Sequence, residues 1–162
     1  MKGKNIITLN GEWEYIKDPD GVLKFPQAKF KFENKQIDGK MNLPINWELA
    51  GLHNYSGTVW FKREIYISEK DFTNNGYIEF NGVDYYCDVF FNGVNVGSNE
   101  GYFNKFEFRL TEEIFINDYN TVIIKVSSPK ENPGDVWPNN KYLIKGIFNH
   151  HDCRPGGWSL EH

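Results

Sequence analysis

Apolar and polar residues alternate with a period of two along most of the chain, and clusters of Gly, Asn, Asp and Pro interrupt the alternation. Successive side chains of an extended strand point to opposite faces, so the pattern predicts half-buried β-strands; helical periodicity never persists beyond about two turns. Residues 9–16 carry Trp13 and Tyr15 on one face, and Asp18-Pro19-Asp20-Gly21 predicts a turn leading into a hairpin with residues 22–25. Residues 27–40 are charged and only loosely alternating at Phe30 and Phe32, which reads as an edge ribbon or a long loop. Residues 58–67 form a strong strand with Val59, Phe61, Ile65 and Ile67 on one face. Arg63 shares that face, so its guanidinium needs a carboxylate or carbonyl partner. Residues 77–80 and 85–91 read as a strand pair around Asn81-Gly82, and Asn92-Gly93 between two apolar runs is a hairpin signal, since both residues tolerate positive φ. Phe106, Phe108 and Leu110 predict a further strand, Thr111 a cap for a short turn at Glu112-Glu113, and Val122, Ile124 and Val126 a central strand. Eight to ten antiparallel strands in one chain predict an all-β sandwich, a jelly roll or Greek key.

A formal net charge of −4 with scattered Lys and Arg offers no basic stripe for phosphates, so no nucleic-acid partner is expected. No apolar run is long enough to cross a bilayer as a helix, so no membrane partner is expected. Cys87 lies in an alternating apolar run and Cys153 in a polar stretch, which gives neither a disulfide framework nor a zinc cage. From residue 127 to 140 the composition shifts to Pro, Asn, Gly and charge, which reads as a long loop. The closing Leu160-Glu161-His162 resembles the start of an affinity tag and is set apart, leaving residues 1–159 as one expected domain.

In order along the chain stand Leu9-Asn10-Gly11-Glu12-Trp13, Leu43-Pro44-Ile45-Asn46-Trp47-Glu48 and Tyr55-Ser56-Gly57-Thr58-Val59-Trp60-Phe61-Lys62-Arg63. Phe80-Asn81-Gly82-Val83-Asp84, Val89-Phe90-Phe91-Asn92-Gly93, residues 97–106 and Asn120-Thr121-Val122 follow. Each motif is short, but their shared order and spacing resemble the N-terminal sugar-binding jelly roll of glycoside hydrolase family 2, which includes β-galactosidases, β-glucuronidases and β-mannosidases. The resemblance runs from about Asn10 to Val126 and implies a galactose-binding-domain-like jelly roll that handles carbohydrate. It implies as partners an immunoglobulin-like domain and a (β/α)₈ barrel of the same parent chain, with the acid/base and nucleophile glutamates of a retaining mechanism on the barrel. No catalytic residue is then expected here, and no cofactor. Family members continue where this chain stops at Trp158, so either a last strand is absent or Gly146-Ile147-Phe148 already supplies it.

The same resemblance supplies two candidate substrate contacts. In family members an Asp near the end of this domain and an Asn just before the second-strand Gly contact sugar or a bound cation; Asp152 and Asn54 hold the matching positions, the alternative being ordinary loop polar residues. Of the five tryptophans, Trp13, Trp47 and Trp60 fall within strand motifs and are expected in packing. Trp137 and Trp158 stand in Pro, Gly and Asn-rich stretches, so they are expected to contact sugar or to dock on the barrel. Asn99-Glu100 imitates the acid/base pair of retaining glycosidases, yet a solvated glutamate in a Gly-bounded connection explains it. His150 and His151 point to opposite sides of an extended segment and do not easily share a metal, and Asp135 lacks the six to eight oxygen ligands calcium takes, so no metal site is expected.

Three functions compete: an accessory domain of a larger glycosidase, a free-standing carbohydrate-binding module, and a cupin-type metal enzyme. The last requires His-x-His, a carboxylate and a later His, and His53, His150 and His151 do not supply that spacing. The motif order favours the first. Aromatic surface normally covered by further domains predicts self-association of the isolated chain.

Overall fold

The computed structural model describes residues 6–68, 71, 76–101, 103–116, 118–130 and 145–148. Among them are ten strands and one α-helix: β1 Gly11–Asp18, α1 Phe25–Glu33, β2 Gly39–Leu43, β3 Gly57–Ile67, β4 Gly76–Phe80, β5 Val83–Asp84, β6 Tyr86–Phe91, β7 Val94–Glu100, β8 Phe106–Leu110, β9 Asp118–Ser128 and β10 Gly146–Ile147. A six-stranded antiparallel sheet runs β2-β1-β3-β9-β6-β7, faced by two small sheets, β4-β8 and β5-β10. The all-β expectation holds, and Gly146 and Ile147 form a short strand paired with β5.

Alternation decides the layers. The inner face of the large sheet contributes Trp13, Val59, Phe61, Cys87, Val89, Phe91, Val122, Ile124 and Val126, packed against Ile78, Phe80, Leu110, Val83 and Ile147 of the small sheets. The outer face buries a second, smaller cluster of Ile16, Trp60 and Ile123 under Ala28 and Phe32 of α1. Each fully buried side chain of this kind contributes about 1.5–3 kcal/mol, so the inner layer dominates stability.

Three expectations are corrected. Residues 27–40 are not a ribbon: they contain most of α1, which Pro26 near the N-terminus tolerates and where Gln27 Oε1 accepts the Lys24 N–H at 2.9 Å. The apparent Phe30 and Phe32 alternation misled, because the buried pair is Ala28 and Phe32, four apart, while Phe30 is exposed. Residues 22–25 form no hairpin with β1, whose partners are β2 and β3. Asp18 instead accepts the N–H groups of Val22 and Leu23, both at 3.0 Å, and turns the chain towards α1. Finally, β4 and β6 are not a pair: β4 pairs with β8, while β6 lies between β9 and β7. Asn81-Gly82 therefore links the two small sheets, β4 to β5, and the chain crosses to the large sheet at Tyr85, between β5 and β6. The Asn92-Gly93 hairpin is as expected, with φ of 46° and 87° joining β6 to β7.

Candidate functional site

One corner of the sandwich is built by residues 44–57 against β5 and β10. Ile45 N–H donates to the Ile147 carbonyl at 2.8 Å and Trp47 N–H to the Lys145 carbonyl at 3.0 Å, so residues 45–47 flank β10 on the side away from β5. Asn46 Oδ1 then accepts N–H groups from Glu48 at 3.2 Å and Lys145 at 3.3 Å. Trp47 is fully buried beneath the turn, edge-on to Tyr55 at 5.6 Å. The buried Lys145 extends its ammonium to the Tyr55 carbonyl at 2.7 Å and Ser56 Oγ at 2.6 Å, holding the loop that leads to β3.

Asn54 sits on this loop. Its φ of 53° is in the left-handed region, which Asn tolerates better than most residues, and its backbone N–H donates to Glu48 Oε2 at 2.9 Å. The other Glu48 oxygen lies 3.2 Å from His53 Nδ1. The Glu48 carboxylate is mostly covered, whereas His53 and Asn54 are exposed. A fixed backbone with an outward amide suits hydrogen bonding to hydroxyls. Beside it, Tyr55 donates its hydroxyl to the Thr58 carbonyl at 2.6 Å, and burial pushes its pKa up to about 12.

Of the expected contacts, the structure places Asn54 in this corner; Asp152, Trp137 and Trp158 lie outside the described residues, as do Asp135, His150, His151 and Cys153. Trp13, Trp47 and Trp60 are core residues. Asn99-Glu100 belongs to β7 rather than to a connection, with Asn99 opposite Cys87 and Glu100 opposite Tyr86. The described residues contain no group of three or more His, Cys, Asp or Glu able to hold a metal. Arg63 finds the partners its position demands, donating to the Leu9 and Asn10 carbonyls at 3.0 and 2.8 Å.

Two clefts of the described surface lie elsewhere, on the outer face of the large sheet. One, of about 220 Å³, is lined by Glu12, Glu14, Lys35, Lys40, Lys62, Arg63 and Glu64. The other, of about 320 Å³, lies alongside α1 and shares Lys62 and Glu64 with the first.

Residues 24–151 match the family described as "Glycosyl hydrolases family 2, sugar binding domain". The chain belongs to that family. This family 2 domain is 30% identical over 103 residues to a β-glucuronidase of Formosa agariphila, covering 64% of the chain and 10% of the relative. It is 27% identical over 150 residues to a β-galactosidase of Thermoanaerobacter pseudethanolicus, covering 90% of the chain and 20% of the relative. The solved Ruminococcus gnavus β-glucuronidase in complex with uronic isofagomine superposes with a TM-score of 0.62 at 21% identity, over 75% of this chain and 21% of that one, which supports the fold. The domain thus spans a fifth or less of the length of the curated relatives it matches.

Sequence reasoning missed Glu48, Lys145 and the Trp47 floor as the parts that shape this corner. Trp47 was expected in packing but not as part of this corner, and Glu48 lay inside a recognised motif without a stated task. Nothing marked Lys145, whose partners stand some ninety positions earlier in the chain.

Proposed function

We propose that this chain is a non-catalytic, sugar-handling accessory domain of a larger family 2 β-glycosidase, and that it packs against the immunoglobulin-like and barrel domains of its parent. The observation that carries this reading is the family match combined with the small share of each relative that the chain spans. In this reading the corner around Asn54 forms part of the rim of a substrate entrance whose reacting carboxylates stand on the barrel. Glu48 is then a positioning residue, since it holds the Asn54 backbone, and Asn54 offers its amide to substrate hydroxyls.

The test has two arms. The chain alone is given chromogenic β-galactoside and β-glucuronide, and no turnover is expected. In the longer protein that carries the domain, Asn54→Ala should raise KM about 2- to 10-fold with kcat nearly unchanged, the signature of one lost hydrogen bond made equally in ground and transition states. Turnover by the chain alone, or a KM indifferent to Asn54, overturns the proposal. Saturable sugar binding at this corner by the chain alone would instead make it a free-standing module.

A further inference from the structure

We infer that the outer face of the six-stranded sheet is a second saccharide-binding surface, with Tyr66 and Tyr119 as its stacking platform and the charged cleft beside them as its hydroxyl-recognising part. This goes beyond the accessory role, because it needs no group from any other domain.

Strand periodicity assembles the face. Lys62, Glu64 and Tyr66 alternate along β3, and their register partners on β9 are Ile123, Thr121 and Tyr119. Helix α1 covers this face over Ile16, Trp60, Phe90 and Ile123. Beyond it, Tyr66 and Tyr119 are 57% and 60% exposed, with ring centroids 5.5 Å apart and planes at 67°. Two rings so arranged present one open face and one wall. Such area gains little from water, whereas the C–H face of a pyranose fits it. Same-face neighbours along a strand are about 7 Å apart, so Glu64 and Thr121 stand one sugar ring away from the tyrosines.

The cleft chemistry selects the ligand class. Lys40 pairs with Glu12 at 2.7 Å, Lys35 with Glu14 at 3.0 Å and Lys62 with Glu64 at 2.9 Å. Arg63, the remaining cation, is committed to the Leu9 and Asn10 carbonyls. Each lysine of the cleft is therefore already matched to a carboxylate, which an anionic ligand would have to displace to reach that lysine. A neutral hydroxyl-rich ligand displaces none: its O–H groups donate to the carboxylates and its oxygens accept from the ammonium groups, as charge-assisted hydrogen bonds. The two clefts adjoin at Lys62 and Glu64, so an oligosaccharide can reach both where a single sugar reaches one. The ligand is a neutral hexose oligosaccharide.

The test is a titration of the chain with three neutral β-linked trisaccharides, of galactose, glucose and mannose, and with a galacturonic acid trisaccharide, followed by heteronuclear NMR. At least one neutral trisaccharide should bind with Kd of order 1 mM, and the uronate more weakly. Shifts should concentrate on β3 and β9 from residues 62 to 66 and 119 to 121. Tyr66→Ala with Tyr119→Ala should weaken binding about tenfold or more and Glu64→Gln about threefold or more, while the melting midpoint holds because these side chains are exposed. Tyr77→Ala, an exposed tyrosine on β4 of another sheet, should leave binding unchanged. The inference is overturned if no neutral trisaccharide shifts this face, if the double tyrosine variant binds normally, if the uronate binds more tightly, or if the tyrosine variant alters only self-association in sedimentation. None of these results depends on the KM test of Asn54.

Discussion

Gly146→Ala is the sharpest perturbation of the candidate corner. Gly146 has φ +91°, where an L side chain is strained by about 1–2 kcal/mol. An added Cβ would lie 2.1 Å from Trp47 Nε1 and 2.3 Å from Trp47 Cδ1. Trp47 is fully buried and cannot swing away, so overpacking adds about 1–3 kcal/mol. Restricting the unfolded chain returns about 0.4–1 kcal/mol, which leaves a net loss of about 1–4.5 kcal/mol. For a chain of this length the melting midpoint should fall by roughly 2–18 °C. Urea unfolding followed by tryptophan fluorescence measures the loss, with an unchanged m-value as the condition for comparing midpoints. The two contributions separate in a cycle with Trp47→Leu: with the indole gone, Gly146→Ala should cost only the backbone part. An equal cost in both backgrounds, or less than about 1 kcal/mol in the parent chain, would refute the packing argument.

Three further outcomes follow from buried polar and titratable groups. Asn120→Ala should cost about 2–4 kcal/mol in urea unfolding, because the fully buried amide accepts from Asn92 Nδ2 at 2.7 Å and Ile116 N–H at 3.0 Å and donates to the Ile116 and Asp118 carbonyls at 2.9 and 3.1 Å; a loss below about 1 kcal/mol would contradict this network. Burial pushes the Cys87 thiol far above its ordinary range, so in a Cys153→Ser background the native protein should resist a thiol reagent at mildly alkaline pH and react at once when unfolded. Rapid native labelling would contradict that burial. Tyr55 is neutral when protonated and its folded pKa lies above the ordinary 10, so its contribution to stability is complete below pH 10 and fades as pH rises towards about 12; Tyr55→Phe should remove one late-titrating tyrosine from the ultraviolet tyrosinate titration and lessen this alkaline loss.

Strand identity was legible because burial on one face forces a two-residue period, as in β3, β8 and β9. Pairing was less so, since alternation gives a strand its face but not its neighbour. Thus Asn81-Gly82 read as a hairpin although it links two separate small sheets, whereas Asn92-Gly93 read correctly. The helix escaped notice because α1 buries only Ala28 and Phe32 and exposes Phe30 between them. In the corner, Asn54 was singled out through motif position alone; Lys145 was not, because no local pattern signals a contact between segments so distant in sequence. The motif residues Asn92 and Asn120 proved to share one task, as their amides bond to each other and join the β6-β7 hairpin to β9.

The place of β9 in the sheet bears on how the chain acquires its shape during synthesis. β9 pairs along its full length with β3 on one side and from Val122 to Ser127 with β6 on the other, so without it the other five strands divide into two ribbons, β2-β1-β3 and β6-β7. A nascent chain leaving the ribosome therefore displays β3 with an open, strongly apolar edge throughout the synthesis of β4 to β8. Only when Ser128 has cleared the exit tunnel can the two ribbons be zipped together. Chaperone capture before that point, and premature termination anywhere upstream of it, are the events to which this architecture is most vulnerable.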